Sequence, residues 1–243
     1  MIELLSPNIF DKDKIISGVS KRNVGSFPPY GFTVSNAEIA SDEKVLQNRM
    51  ILARELGFDY RQMAFQKQIH DDIIRYISQG ADNTLESDGM ITDCKEMIIS
   101  ISIADCAAVL IYDPVIECIC GVHSGWMGTK LNICGKAVSM MIEKFNSNPS
   151  DLLVYVSPCA GGDSYEVGKE VADFFPRSIK ELPSGKFLFD NKNEIRLQLL
   201  DSGLKEQNME ISEICTISDE NYHSYRRDGI KSGRMSAFIG MRI

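Results

Sequence analysis

Apolar residues recur along this chain at two spacings, one typical of amphipathic helices and the other of buried strands. Helical spacing predicts helices over 41–56, 131–145, 165–175 and 192–200. In the first of these, Ser41 stands where a helix cap belongs and Gly57 stands where a helix ends. Each predicted helix has one apolar face, so we expect these helices to pack against a core.

Shorter runs rich in β-branched residues predict strands. These runs lie at 62–69, 97–103, 107–112, 117–122, 152–156, 214–217 and 235–239. Residues 21–36 are rich in Gly, Pro, Ser and Asn, which predicts an irregular loop. Because helices and strands are mixed without a strict βαβ cycle, the pattern predicts an α+β fold with a mixed β-sheet core and flanking helices.

Composition narrows the possible functions and leaves the predicted fold unchanged. The chain has 243 residues, 44% of them hydrophobic, so we expect residues 1–243 to form a single domain. A net charge of -8 is unfavourable for binding nucleic-acid backbones and suits a protein that acts on small molecules. The chain start lacks the basic and apolar segments of a signal peptide, and no apolar stretch is long enough to span a membrane. We therefore expect a cytoplasmic protein with no membrane or nucleic-acid partner.

Three residues near predicted strand ends have the chemistry of a metal site. His70 ends one strand, Cys106 lies at the junction of two, and His123 follows the next one. The turn at Asp113-Pro114 makes the last two strands neighbours, so we expect Cys106 and His123 to approach each other. The seven cysteines are an odd number and are scattered, which indicates reduced thiols. Two histidines and one cysteine would give Zn²⁺ three ligands and leave a fourth position open.

The residues alone leave other interpretations open. Each of the three is also compatible with a packed core position, and Cys106 with His123 could form a nucleophile and its base. A blue-copper site with Met127 as its axial ligand is a further alternative. A zinc motif of the cytidine deaminase type is excluded, because Pro158-Cys159 is not followed by a second cysteine. Within the metal interpretation, the carboxylate of Asp105 could orient an imidazole.

An arginine cluster lies near the end of the chain, in the segment SYRRDGIKSGRM. It contains Arg226, Arg227 and Arg234 among serines and glycines, and His223 lies just before it. In an acidic chain such a cluster indicates recognition of phosphate or carboxylate by guanidinium groups. A solvated, ion-paired surface is an equally good interpretation.

An ordered series of segments covers most of the chain and carries a family resemblance. The segments are KQIH (67–70), ADC (104–106), YDP (112–114), VHSGWMGT (122–129), SPCAGGDSYEVG (157–168), RLQLLDSGL (196–204), CTISDENYHSYRRDG (215–229) and GRMSAFI (233–239). Together they resemble the YfiH family, also called the laccase-domain or multicopper polyphenol oxidase-like family. Its bacterial members are described as purine nucleoside phosphorylases of broad specificity.

The resemblance implies a YfiH-type α+β fold and a zinc-binding catalytic trio made of His70, Cys106 and His123. It also implies phosphorolysis of adenosine, inosine, guanosine and methylthioadenosine, together with deamination of adenosine. One departure from the family concerns Met127, which stands where the family usually has arginine. A cationic group near His123 is therefore missing from this chain.

The working hypothesis is a zinc enzyme whose partners are purine nucleosides and phosphate. Asp105 would move protons, Arg226 or Arg227 would bind phosphate, and Trp126 would stack on the purine. The alternatives are a copper-dependent phenol oxidase, with Cu²⁺ in place of zinc, and a noncatalytic partner protein. Multicopper oxidation requires many more histidines than the three in this chain. A monomer and a homodimer are both compatible with the sequence.

Overall fold

Strands and helices follow one another through residues 1–35, 39–78 and 85–242, the part of the chain that the computed structural model describes. The strands are β1 (Leu4–Leu5), β2 (Ile15–Ser20), β3 (Met63–Ala64), β4 (Ile74–Tyr76), β5 (Gly89–Thr92), β6 (Ile98–Ile103), β7 (Ala107–Asp113), β8 (Cys118–Ser124), β9 (Leu153–Val156), β10 (Glu166–Val167), β11 (Ile179–Glu181), β12 (Phe187–Phe189), β13 (Met209–Ile211) and β14 (Met235–Met241). The helices are α1 (Asp42–Glu55), α2 (Trp126–Lys130), α3 (Ile133–Phe145), α4 (Lys169–Ala172), α5 (Asn191–Asp201) and α6 (Tyr225–Asp228).

Two large mixed sheets pack against each other. One has the strand order β1-β2-β14-β6-β3, and the other has the order β13-β9-β7-β8-β5-β4. The pairs β3–β6, β4–β5 and β13–β9 are parallel, whereas the remaining pairs in these sheets are antiparallel. A third, small sheet has the order β10-β12-β11. The predicted α+β fold with mixed sheets and flanking helices is therefore confirmed.

The main core lies between the two large sheets. Leu110 of β7 belongs to a buried cluster that includes Ile101 of β6 and Ile239 of β14. The alternate residues Val109 and Ile111 point to the opposite face of the same strand, where they join a cluster built with α3 and α5. Helix α1 contributes to a separate cluster on the outer face of the first sheet. Because helices cover both outer faces, the central strands are apolar on both sides, which explains their continuous hydrophobic sequence.

Three of the four predicted helices form close to their expected positions. Ser41 caps α1 by accepting a hydrogen bond from the backbone N–H of Lys44, and Gly57 follows the helix with a φ of 81°. Helices α3 and α5 lie within one to two residues of the segments predicted as 131–145 and 192–200. Over the described ranges, no helix is both long enough and apolar enough to cross a bilayer.

The predicted helix over 165–175 is wrong. This segment forms β10 and the single-turn helix α4, and Gly168 separates them as the residue before α4. The ring of Tyr165 packs 5.8 Å from that of Phe189, measured between centroids, and Val171 joins the same small apolar cluster. The apolar positions that suggested a helical face therefore cover the small third sheet.

Two predicted strands also differ from expectation. The strand over 62–69 is shorter than predicted, and the strand over 214–217 does not form. The strand expected over 62–69 ends at Ala64, and further along the amide of Gln68 bonds to the main-chain N–H and C=O of Ser102. The segment 214–217 contains only an isolated bridge from Cys215 to Cys159. A strand forms just before it, as β13. The predicted loop 21–36 is irregular over 21–35, and residue 36 lies outside the described residues.

Candidate metal centre

A β-hairpin brings Cys106 and His123 together. Strands β7 and β8 pair antiparallel, with Ala107 opposite Ser124 and Ala108 opposite His123. Cys106 comes immediately before β7, so its position beside the end of β8 follows from the strand register. Asp105 turns the chain into this hairpin with a φ of 77°. The hairpin predicted from the turn at 113–114 is therefore confirmed, and so is the approach of the cysteine to the histidine.

His70 reaches the hairpin from a loop between β3 and β4. Its φ is 61°, in the left-handed region that few non-glycine residues occupy. The backbone N–H groups of Ile69, His70 and Asp71 all donate to the carboxylate of Asp88, over 3.0, 3.1 and 2.9 Å. These three bonds explain how the loop is held in an unusual conformation.

One ligand atom from each of His70, Cys106 and His123 lies within 4.8 Å of the other two. The two imidazole rings are 4.9 Å apart between centroids and nearly perpendicular, at 83°. His123 is buried, Cys106 is half-buried and His70 is exposed. The three side chains predicted from the sequence thus converge, and the group opens to solvent on the side of His70.

Gly125 allows the close packing beside Cys106. A Cβ atom at this position would lie 2.6 Å from the Cys106 sulfur and 3.8 Å from Cδ2 of His70. Two non-bonded heavy atoms cannot approach to 2.6 Å without strain, so any larger residue would displace the thiol. The glycine after β8 is therefore part of the geometry of the centre.

Asp88 orients an imidazole, a role that the sequence predicted for Asp105. The Asp88 carboxylate is fully buried and lies 2.8 Å from Nδ1 of His123, which leaves Nε2 as the ring nitrogen that faces Cys106. Asp105 instead accepts hydrogen bonds from the Thr216 hydroxyl at 2.7 Å and from the backbone N–H of Arg226 at 2.6 Å. Its carboxylate thus connects the hairpin to the C-terminal segment.

The charges of the three groups favour a thiolate beside an imidazolium. Burial would raise the pKa of Cys106, but the charge of His123 and hydrogen bonds from His123 and His70 lower that pKa to about 6. Burial would lower the pKa of His123, but the Cys106 thiolate and the bond to Asp88 raise that pKa to about 9. The cysteine is therefore a good ligand for a cation at neutral pH, once His123 gives up its Nε2 proton.

A cavity of about 530 Å³ opens over this group. Its lining combines the three candidate ligands with polar, aromatic and cationic side chains: Ser35, Gln66, Lys67, Gln68, Ser102, Asp105, Tyr165, Tyr225, Arg226 and Arg234, together with Ala104. This volume lies within the range of small-molecule sites in proteins. Met127, the axial copper ligand considered above, is not among the lining residues.

The arginine cluster divides into cavity and scaffold residues. Arg226 lines the cavity, and one guanidinium nitrogen donates to the Glu166 carbonyl at 2.7 Å. Arg234 also lines the cavity. Arg227 does not line the cavity. Its guanidinium group donates instead to Asp228 and to four main-chain carbonyls. These bonds leave it no donor for phosphate, which corrects the role predicted for Arg227.

Trp126 and His223 lie outside the cavity. Trp126 packs against the small apolar cluster of Val171 and Phe175, and it lines a neighbouring cavity of about 400 Å³ instead. The aromatic faces available near the candidate ligands belong to the two tyrosines. His223 is buried, with Nε2 bonded to the Phe32 carbonyl and Nδ1 accepting from the Gly233 N–H. This histidine has a structural position.

The family model described as multi-copper polyphenol oxidoreductase laccase matches residues 16–242. The chain belongs to this family. The resemblance to the laccase-domain (YfiH) family read from the sequence is confirmed. A relative from Bacillus subtilis, named purine nucleoside phosphorylase YlmD, is 31% identical over 94% of this chain and 89% of its own length. A purine nucleoside phosphorylase from Aquifex aeolicus is 32% identical over 87% of this chain and 96% of its own.

Solved structures from this laccase-like family have the same fold. A Bacillus licheniformis protein described as hypothetical protein YfiH superimposes with a TM-score of 0.89 at 29% identity, over 94% of this chain and 93% of that one. YlmD from Geobacillus stearothermophilus gives a TM-score of 0.88 at 28% identity, over 94% and 92% of the two chains. Membership of a family described by its copper chemistry and the convergence of His70, Cys106 and His123 both indicate a metal site.

Proposed function

We propose that this chain is a zinc-dependent purine nucleoside phosphorylase, with residues 1–243 acting as one catalytic domain. The observation that carries the proposal is the convergence of His70, Cys106 and His123 below a cavity lined by arginines. The names of the relatives from Bacillus subtilis and Aquifex aeolicus support the same activity. Adenosine, inosine, guanosine and methylthioadenosine are the proposed nucleosides, and each would yield its base and a pentose 1-phosphate.

The three converging residues fit Zn²⁺ as their metal. Imidazole nitrogen and thiolate sulfur are preferred zinc ligands, and three protein ligands leave one position for substrate. When bound by these three residues, Zn²⁺ would supply Lewis-acid chemistry to the site. The chain supplies the thiolate of Cys106, and the bond from Asp88 directs Nε2 of His123 into the site.

Phosphate would bind to Arg226 and Arg234. Both guanidinium groups line the cavity, and charge-assisted hydrogen bonds from arginine to phosphate are among the strongest in proteins. In phosphorolysis a phosphate oxygen bonds to the anomeric carbon of the ribose while the bond from that carbon to the purine nitrogen breaks. The electron pair of the broken bond leaves with the base. The arginines orient the phosphate for this attack and balance its charge.

The proposed roles of two other residues differ from the first hypothesis. Tyr165 and Tyr225 replace Trp126 as the rings that contact the nucleoside, because they line the cavity of the candidate ligands. Asp105 fixes the position of Arg226 instead of carrying protons, since its two carboxylate oxygens already accept hydrogen bonds from Thr216 and from Arg226.

Deamination of adenosine is proposed as a second activity of the same cavity. In this reaction water adds its oxygen to the purine carbon that carries the amino group, and ammonia leaves. The reaction requires no phosphate, so Arg226 and Arg234 would be dispensable for it. Ammonia release from adenosine without phosphate measures this activity separately from phosphorolysis.

The test is release of hypoxanthine from inosine by the zinc-loaded protein, with and without phosphate. We expect release only with phosphate, and we expect Cys106→Ala and His123→Ala to lower turnover at least 100-fold because each removes a ligand. Cys118→Ala is the matched control, since Cys118 is buried at the far end of β8 and should leave turnover within about twofold.

Other outcomes would select the alternatives. Equal turnover by wild type and Cys106→Ala would show that the proposed centre is not catalytic. Oxygen consumption with phenols by a copper-loaded sample, without phosphorolysis, would instead support the phenol oxidase that the family description suggests. A metal-loaded protein that turns over neither class of substrate would support the noncatalytic alternative.

A further inference from the structure

The carboxylate of Asp88 accepts hydrogen bonds from the segments of both candidate histidine ligands. It precedes β5 and is completely buried. A buried carboxylate is costly unless its oxygens accept hydrogen bonds. The partners of Asp88 therefore indicate why the fold keeps a charge at this position.

Each carboxylate oxygen of Asp88 has two donors. Oδ1 lies 2.8 Å from Nδ1 of His123 and 3.1 Å from the backbone nitrogen of His70. Oδ2 accepts from the backbone N–H groups of Ile69 and Asp71, at 3.0 and 2.9 Å. The main-chain carbonyl of Asp88 also accepts from the backbone N–H of His123, at 2.7 Å. Five hydrogen bonds thus join Asp88 to the two histidines or their chain neighbours.

These bonds have two effects on the site. The bond to Nδ1 determines which nitrogen of His123 carries the fixed proton, so that Nε2 is directed to Cys106. The three backbone bonds stabilise the left-handed conformation at His70, whose φ is 61°. An ordinary strand continuing through residue 70 would direct the imidazole elsewhere, because side-chain direction follows the backbone dihedrals.

We propose that Asp88 is the positioning residue of the metal centre. It sets the tautomer of one imidazole ligand and the backbone conformation of the other. The inference rests on the proposed metal site and adds a residue that does not itself touch the ion. Carboxylates that orient histidine ligands in this way strengthen metal binding, and their loss weakens it by roughly 10- to 100-fold.

Asparagine is the most informative substitution. Asp88→Asn has the same shape, but its amide group can accept at only one of the two positions. The amide nitrogen would face either the pair of donors from His70 and His123 or the pair from Ile69 and Asp71. The first orientation removes the acceptor of both histidines, and the second removes two of the three backbone bonds that hold the His70 loop.

The experiment compares Zn²⁺ affinity, by competition with a chromophoric chelator, in wild type, Asp88→Asn and Asp113→Asn. Asp113 is the matched control because it is buried and accepts backbone hydrogen bonds from Val115 and Ile116, at the far end of the same hairpin. We expect roughly 10- to 100-fold weaker binding in Asp88→Asn and a change below about twofold in Asp113→Asn. Wild-type affinity in folded Asp88→Asn, or an equal loss in both variants, would overturn the proposal.

A measurement on the wild type covers the case in which Asp88→Asn does not fold. Nitrogen NMR of the zinc-loaded protein should show His123 bound to zinc through Nε2, with its proton on Nδ1. Binding through Nδ1 would contradict the proposal directly. Neither experiment needs turnover, so failure of phosphorolysis with normal metal binding would refute the proposed reaction and leave the role of Asp88 standing.

Discussion

The position of Gly125 beside Cys106 has no room for a side chain. A methyl group on this glycine would lie 2.6 Å from the Cys106 sulfur, so Gly125→Ala must displace the thiol or the start of α2. We expect the variant to bind Zn²⁺ at least tenfold more weakly than wild type and to lose turnover in proportion. Titration with the chelator and the inosine assay measure the two effects.

A second glycine provides the control for this change. Gly25 has nothing within 4 Å of its would-be Cβ, so Gly25→Ala should leave Zn²⁺ affinity and turnover near wild type. If Gly125→Ala also behaves as wild type, the thiol is free to move, and the geometry of the centre is less constrained than we infer.

The sequence was sufficient to find the candidate ligands. It was not sufficient to find the carboxylate that holds them in position. Cys106 and His123 stand at the ends of paired strands, a placement visible in the pattern, whereas His70 lies in the loop between β3 and β4 and not at the strand end that the pattern predicted. Asp88 and Asp105 are both acidic residues beside strands, so the sequence does not distinguish their roles. Only the tertiary structure shows that Thr216 and Arg226 occupy the oxygens of Asp105.

At the scale of elements, the single-turn helix α6 directs the side chains of two adjacent arginines to different surroundings. Arg226 points into the cavity, whereas Arg227 donates to Asp228 and to the carbonyls of the preceding loop. We expect Arg226→Ala to raise the KM for phosphate at least about tenfold, because a hydrogen bond to a charged group contributes about 1.5–3 kcal/mol. Its thermal stability should change little.

Arg227→Ala should show the opposite pattern. Loss of its hydrogen bonds to the loop carbonyls is expected to lower the free energy of unfolding by about 2 kcal/mol, with a smaller effect on the KM for phosphate. Urea unfolding and phosphate titration of the two variants separate these effects. A larger KM increase in Arg227→Ala than in Arg226→Ala would refute the assignment of the cavity arginine.

Elements with strong local periodicity could be predicted, and those shaped by distant contacts could not. Helix α3 follows from the apolar spacing of its own segment. The β7–β8 hairpin follows from two neighbouring apolar runs and the turn between them. The segment 165–175 has helical spacing too, yet its rings pack on Phe189 and it pairs with β12, contacts that the local sequence does not encode. Strand β2 was missed altogether, although it pairs with β1 and β14 in the first sheet.

For the whole molecule, His223 connects segments from the two ends of the chain. It is buried between Phe32 and Gly233, and burial is the main cause that lowers its pKa to about 4. An unfolded histidine titrates near pH 6.5, so the unfolded chain binds this proton first as the pH falls. The contribution of His223 to stability is therefore complete above about pH 6.5 and is lost progressively between about pH 6.5 and 4.

We expect this titration to reduce the free energy of unfolding by about 2 kcal/mol between pH 7 and pH 5. Urea unfolding of wild type and His223→Gln at the two pH values isolates it from the titration of other groups. We expect the variant to be less stable than wild type at pH 7. Its free energy of unfolding should also change less between pH 7 and pH 5. An equal pH dependence in both proteins would show that His223 does not take up the proton.

The unequal exposure of the two histidines determines how a metal ion would enter and leave the centre. His123 is buried and anchored by a carboxylate, whereas His70 is exposed. A competing chelator would therefore meet the outer imidazole first, and ligand exchange would begin there while the inner two ligands stay in place. We therefore expect metal exchange to be a local event at one loop, so that the apo protein could be reloaded without refolding.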